Sequence, residues 1–171
     1  MRASTGIWPV GWLVIAAALA VGGCTAAISK EALETVDQEI SFEQVLENPD
    51  AYRGTVILSG GEIIKTENLT DKTLIILLQL PLGYRQKPRS EGESKGRFII
   101  VVKDFLDPAI YSPGRKITVV GTVMGEEIRP LDGLEYSYPV IEKKELYIWP
   151  PAEELGTGPR FHFGIGIRKT L

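Results

Sequence analysis

The chain has 171 residues, a formal net charge of −3, one cysteine and one histidine. Those counts exclude an internal disulfide, a thiolate metal site and a multi-histidine metal centre. Charged residues make up 24% with no basic excess, so there is no global signature of nucleic-acid binding, and 18 glycines with 11 prolines favour short strands and turns over long helices. The length fits one domain with a core large enough to fold without staples. A nucleophile–histidine pair would have to use His162, nine residues from the C-terminus. Chain ends hold catalytic geometry badly unless tied down. The composition thus argues against an enzyme, although it leaves carboxylate-based activity open.

Residues 1–24 read MRASTGIWPVGWLVIAAALAVGGC. Arg2 and the terminal amine form a positive start, and Trp12 to Val21 is an unbroken apolar run of ten residues. That run suits a signal-peptide core and is too short for a membrane span of roughly 20 residues. Val21-Gly22-Gly23-Cys24 follows, and it resembles the lipobox of bacterial lipoproteins. Small residues let the backbone enter the peptidase. The Cys24 thiol then takes a diacylglycerol and becomes the new N-terminus. Two or more acyl chains give stable anchoring. Residues 1–23 are therefore expected to be removed, and loss of Arg2 leaves 18 basic and 22 acidic residues, net −4. Thr25 stands where an Asp would signal inner-membrane retention, which by the same resemblance implies sorting to the outer membrane.

Residues 24–40 read as a lipidated tether with one weak helical turn, and residues 41–149 as the folded domain. Ser41-Phe42-Glu43-Gln44 has capping-box spacing, with Phe42, Val45 and Leu46 on one helical face. Pro49 should end that helix near Asn48. Five strands follow, over 55–65, 73–80, 97–103, 116–125 and 138–148, the last broken near Glu142-Lys143-Lys144. The run Thr73 to Leu80 is almost wholly apolar and should be buried on both faces. Gly60, Gly61 and Gly121 sit inside strands, as at barrel corners. The largest expected core fillers are Tyr52, Phe98, Phe105, Tyr111, Tyr138 and Trp149, with Ile110 also packing inward. The fold class expected is mainly β: a small five-stranded, OB-like closed barrel with a short N-terminal helix, a sandwich being second. Residues 150–171 form a Pro/Gly-rich tail. Phe161, Phe163, Ile165 and Ile167 alternate there, which fits an edge strand, a docking segment or a frayed end.

In order along the chain, Asn48-Pro49-x-x-Tyr52-x-Gly54, Gly60-Gly61, Pro81-Leu82, Gly96-Arg97-Phe98 and Phe105-Leu106-Asp107-Pro108-x-x-Tyr111 are followed by Gly114-Arg115, Thr118-Val119-x-Gly121, Tyr138-Pro139-Val140 and Leu146-x-x-Trp149. Behind a lipobox, this series resembles the Slp family of outer-membrane lipoproteins over about residues 48–149. The resemblance implies an envelope lipoprotein linked to stress or starvation. It carries over no catalytic residue and no cofactor.

The loop 83–97 holds Arg85, Lys87, Arg89, Lys95 and Arg97 against Glu91 and Glu93, a local net charge of +3 in an acidic protein. One reading is contact with anionic headgroups or lipopolysaccharide phosphates, each cation contributing about 1 kcal/mol near a charged surface. The other is a solvated hairpin loop. Carboxylate pairs occur at Glu126-Glu127, Asp104/Asp107 and Glu153-Glu154, but adjacent acids in a strand point to opposite faces, and Asp107 before Pro108 suits a turn. The reading is of a lipoprotein anchored in outer-membrane lipid through Cys24 and facing the periplasm. It would have a structural or interaction role, with an envelope protein, glycan or lipopolysaccharide as partner. A glycan-, lipopolysaccharide- or lipid-binding module is the alternative. Nucleic acid is not an expected partner, because the aromatics read as core, the charge is negative and the compartment is wrong.

Overall fold

The structure is a computed structural model that describes residues 26–151. The signal segment 1–23, Cys24, and the tail from 152 with His162 and Glu153-Glu154 lie outside the described residues.

Helix α1 (Lys30–Glu34) is followed by α2 (Phe42–Glu47) and a 3₁₀ turn over Pro49–Tyr52. Strands β1 (Val56–Asn68), β2 (Thr73–Gln79), β3 (Arg97–Val102), β4 (Lys116–Leu131) and β5 (Leu134–Ile148) close into a barrel in the order β1-β2-β3-β5-β4. Neighbours are antiparallel except β3 and β5, which run parallel with Ile99 opposite Val140. This is the mainly β, five-stranded closed barrel expected from the sequence. Closure pairs each strand with two neighbours around the barrel, so the barrel itself has no open edge.

The α2 cap forms as its spacing predicts. Ser41 Oγ accepts from the Gln44 N–H at 3.3 Å, and Gln44 Oε1 accepts from the Ser41 N–H at 2.8 Å. The helix then lays Phe42 and Val45 over one end of the barrel, where Phe42 meets Phe98 edge-on at 5.3 Å. The barrel interior is filled by Ile57, Ile63, Ile75, Leu77, Ile100, Ile117, Val119 and Ile141 among others. Strand β2 is buried on both faces because a second cluster covers its outside, made of Leu74, Ile76, Ile99 and Tyr138.

That outer cover comes from an element longer than the sequence suggested. Strands β4 and β5 run on past the barrel as one hairpin, paired from Ile117↔Ile148 to Leu131↔Leu134. The turn is Asp132-Gly133, with φ of 50° and 86°. Asp-Gly between two strands is the signature of a two-residue turn with both central residues left-handed. The expected break in β5 is a single bulged residue, Lys144, because Val120 faces Glu145 while Gly121 faces Lys143. Gly121 fits this crowded point because a Cβ there would meet the Glu142 carbonyl oxygen at 2.5 Å.

Three sequence expectations are corrected by the packing. The tether over 24–40 is, in its described part, docked on the barrel: Ala27 and Ile28 are buried. Ser29 donates from N–H and Oγ to the two oxygens of Glu145, at 2.7 and 2.5 Å, and the Asp37 N–H reaches the Val56 carbonyl at 2.9 Å. Phe105 and Ile110 are not core residues, being 74% and 52% exposed on the β3–β4 loop, while Tyr111 does pack against the interior. Trp149 lies just past β5 on the outer face of the barrel. Leu146 and Ile148 face the interior, so Glu145, Tyr147 and Trp149 face out.

Candidate functional site

The loop after β2 folds back on the barrel wall. Its first part is held by Gly83 N–H to the Lys87 carbonyl and Arg89 N–H to the Pro81 carbonyl, at 2.9 and 3.0 Å. Pro88 is buried, and a bridge joins Leu82 to Pro88. Gly60 of β1 is the seat. A Cβ there would meet Leu82 Cδ2 at 2.6 Å and Pro88 Cγ at 3.0 Å, so only glycine lets the loop lie this close. Arg85 and Gln86 are held left-handed, at φ of 57° and 58°. Such strain costs about 1 kcal/mol or more per residue and persists only where surroundings over-determine it.

Thr118 supplies that constraint. Its buried hydroxyl donates to the Gln86 carbonyl at 2.7 Å and accepts from Trp149 Nε1 at 2.9 Å. One side chain therefore joins the loop to the aromatic residue at the end of β5. Trp149 packs edge-on against Tyr147 at 4.8 Å, and Lys87 Nζ sits 5.4 Å from the Trp149 ring centroid.

Two adjoining hollows result. A cleft of about 500 Å³ is lined by Tyr84, Lys87, Pro88, Arg89, Ser90, Glu91 and Lys116. A smaller one of about 100 Å³ lies between Lys87, Gly114, Arg115, Lys116 and Trp149 to Pro151. Lys87 and Lys116 form the wall between them. Lys116 Nζ donates to the Pro88 carbonyl at 3.1 Å and the Ser90 hydroxyl at 2.5 Å. Arg115 donates to the carbonyls of Trp149 and Ile110. These neutral acceptors fix the cations without cancelling their charge. Among the described residues, Lys87, Arg89, Arg115 and Lys116 form no ion pair, whereas Lys65, Lys95, Lys103, Arg53, Arg129 and Lys143 each have a carboxylate. Among the described residues Glu91 is the single acid in the lining, and Tyr84 stands 90% exposed at the rim.

Elsewhere several of the acids are engaged. Arg129 reaches Glu127 at 2.7 Å and Glu67 at 3.0 Å, and Lys65 also reaches Glu67 at 2.8 Å, tying the β4–β5 hairpin to β1. The hydrogen bond from Lys65 is the largest effect holding the Glu67 carboxyl below its usual value; burial opposes it, and Arg129 adds to the lowering. Glu126 accepts from Ser137, Asp104 pairs with Lys143, and Asp107 caps the Ala109 N–H. Among the described residues, no group of three or more His, Cys, Asp or Glu side chains is placed to hold a metal ion.

Comparison with known proteins bears on this geometry. The family model for the outer membrane lipoprotein Slp family matches residues 21–163. The chain belongs to that family. The match extends beyond 48–149, taking in the residues before Cys24 and part of the tail. As an Slp-family member, the protein is a lipoprotein of the cell envelope, located at the outer membrane. An uncharacterized lipoprotein of Escherichia coli K12, YeaY, is 26% identical over 143 residues, covering 84% of this chain and 74% of that protein. An uncharacterized protein of Haemophilus influenzae is 36% identical over 91 residues, 53% of this chain. The chain spans about half of that protein, 49% of its length. A crystal structure of Schizosaccharomyces pombe Pot1pC bound to single-stranded DNA covers 60% of this chain and 82% of its own, at 12% identity and a TM-score of 0.28. That likeness is too slight to carry a statement about ligand.

In this Slp-family protein the five loop cations do not form one patch. Lys95 turns away to Glu43 on α2 at 2.7 Å, and that hydrogen bond raises its pKa. Arg97 begins β3 on the outer face, its N–H bonded to the Tyr136 hydroxyl at 2.9 Å. Arg85 is exposed on the strained turn. Only Lys87 and Arg89 line the cleft, and Arg115 and Lys116 at the start of β4 join them. The sequence reading missed those two because they lie some 26 residues further along the chain. The signal available was Arg115-Lys116 opening a strand whose far neighbour, Trp149, ends another.

Proposed function

We propose that the protein is a non-enzymatic interaction module on the periplasmic face of the outer membrane, anchored by acylated Cys24, whose basic and aromatic cleft takes an anionic group of the envelope. The observation that carries this is the convergence of Lys87, Arg89, Arg115 and Lys116, with no carboxylate partner among the described residues, beside Trp149 and Tyr84. Clustering uncompensated charge in a protein of net charge −3 has an electrostatic cost that a bound anion removes. The composition of the cleft supports the non-enzymatic reading. A glycosidase needs two carboxyls about 5 to 9.5 Å apart across a cleft, and among the described residues the cleft has Glu91 alone. A role in stress or starvation belongs to the same reading, and abundance of the protein across growth phases tests it.

After processing at Cys24, Trp149 is the single tryptophan, since the other two, Trp8 and Trp12, precede the cysteine. Its fluorescence is thus a reporter inside the site. Titration of the purified protein with inositol hexakisphosphate, a soluble polyanion, should change that signal at low salt. The response should weaken as salt rises. Replacing Lys87 and Lys116 by Glu should weaken binding about tenfold or more, given about 1 kcal/mol for each cation. No response at low salt would remove the anion-binding reading. A response to neutral oligosaccharide that salt leaves unchanged would favour the glycan alternative, for which exposed Tyr84 is the supporting feature.

A further inference from the structure

The docked N-terminal segment sets how far the barrel can stand from its membrane. Ala27 and Ile28 are buried, and Ser29 is bonded twice to Glu145 on the outer face of β5. Cys24 is three residues before Ala27. At no more than about 3.6 Å per residue, that leash is about 11 Å at full stretch. An acylated Cys24 places its backbone at headgroup depth, so the barrel wall near Glu145 is held against the bilayer.

The cleft lies on the same wall. Glu145, Tyr147 and Trp149 point outward from β5. Opposite them on β4 the outward residues are Val120, Thr118 and Lys116, paired as Val120↔Glu145 and Thr118↔Tyr147. From Glu145 to Trp149 is four residues of strand, about 13 Å at 3.3 Å per residue. The anchor point and the cations are therefore neighbours on one face. The Tyr147–Trp149 pair adds aromatic surface of the kind that settles at headgroup level.

We infer that this wall of the barrel, formed by β5 and by the loop and N-terminal segment that cover β4, lies on the bilayer, with Lys87, Arg89, Arg115 and Lys116 on anionic phospholipid headgroups of the leaflet that holds the acyl anchor. This rests on the anion-binding reading of the cleft and adds its source and orientation. The leash supplies the specificity: a short tether keeps the local headgroup concentration high, so weak individual contacts suffice.

The test uses the acylated full-length protein reconstituted into vesicles, with Trp149 quenched by spin label on lipid headgroups. Quenching should be several-fold stronger in vesicles containing phosphatidylglycerol than in pure phosphatidylcholine. It should fall to the phosphatidylcholine level in the Lys87→Glu, Lys116→Glu double variant. Inserting twelve Gly/Ser residues between Thr25 and Ala26 should also lower it several-fold. Such a linker spans about 20 Å as a coil, and it lies before the docked segment, so the barrel is left intact. Equal quenching in neutral and anionic vesicles, or quenching only when lipopolysaccharide is present, would overturn the assignment to phospholipid headgroups. Absent quenching with an intact response to soluble inositol hexakisphosphate would overturn the orientation and leave the anion-binding cleft standing. Loss of both responses would remove both readings.

Discussion

Two buried hydroxyls show how the same group can help or harm a barrel. Thr118 faces outward and is satisfied twice, by the Gln86 carbonyl and Trp149 Nε1. Ser59 faces the interior among aliphatic side chains, and its hydroxyl has no hydrogen-bond partner. An unmade hydrogen bond in an apolar setting costs about 1–3 kcal/mol. Ser59→Ala is therefore expected to leave stability unchanged or raise it by up to about 1 kcal/mol in denaturant unfolding. A loss larger than that would mean the hydroxyl is bonded in solution. Thr118→Val keeps the shape but strands two polar groups. It should cost about 1–2 kcal/mol and weaken polyanion binding, because the Gln86 turn and Trp149 lose their common support. Unchanged affinity with lowered stability would show that Thr118 supports the fold alone.

Among the elements, α2 and the β4–β5 hairpin depend on different forces. Helix α2 has six residues, too short to be stable alone, and persists because its cap is complete and Phe42 and Val45 close the barrel end. Ser41→Ala should cost about 1 kcal/mol, seen as a lower unfolding midpoint with an unchanged denaturant slope. The hairpin is tied to β1 by the Lys65–Glu67–Arg129–Glu127 cluster. The Glu67 pKa is lowered by folding from its usual 4.5. A depressed acid contributes stability that is complete above its unfolded value and is lost as pH falls through the lower folded value. Glu67→Gln should therefore destabilise the protein at neutral pH by less than about 1 kcal/mol, since the group is partly exposed. The difference from the parent should vanish well below pH 4.5. A difference that persists unchanged into acid would show that the Glu67 charge contributes nothing.

For the whole molecule, attachment governs everything else. An acidic barrel with one cationic cleft has no strong reason to seek an anionic membrane from solution. A protein confined there by acyl chains meets headgroups continually. Cys24→Ala should leave an unprocessed precursor or release the protein from the membrane fraction. Normal processing and unchanged fractionation of that variant would exclude anchoring through Cys24. The docked stretch from Ala27 to Ile40 makes the anchor part of the domain, since Ser29 and Glu145 join residues 116 apart in the chain.

Local chemistry was legible in the sequence wherever neighbours along the chain determine the outcome. The Ser41–Gln44 cap, the strand cores and the two-sided burial of Thr73 to Leu80 are of that kind, because each depends on spacing or on a run of one residue class. The extent of β4 and β5 was also written locally, in Asp132-Gly133, although alternation there is interrupted by charged pairs. Long-range pairing was not legible. Phe105 looks like core and is exposed because its loop lies beyond the closed strands. Residues 24–40 read as a tether, and their described part is docked because Ala27 and Ile28 are buried against the barrel and Ser29 bonds Glu145. The sequence by itself determined a small β domain with a lipid attachment signal. The tertiary structure alone decided which cations share a surface: barrel closure brings the β2–β3 loop, the start of β4 and the end of β5 to one wall, while Lys95 is drawn off to Glu43. Charge adds over space and not along the chain.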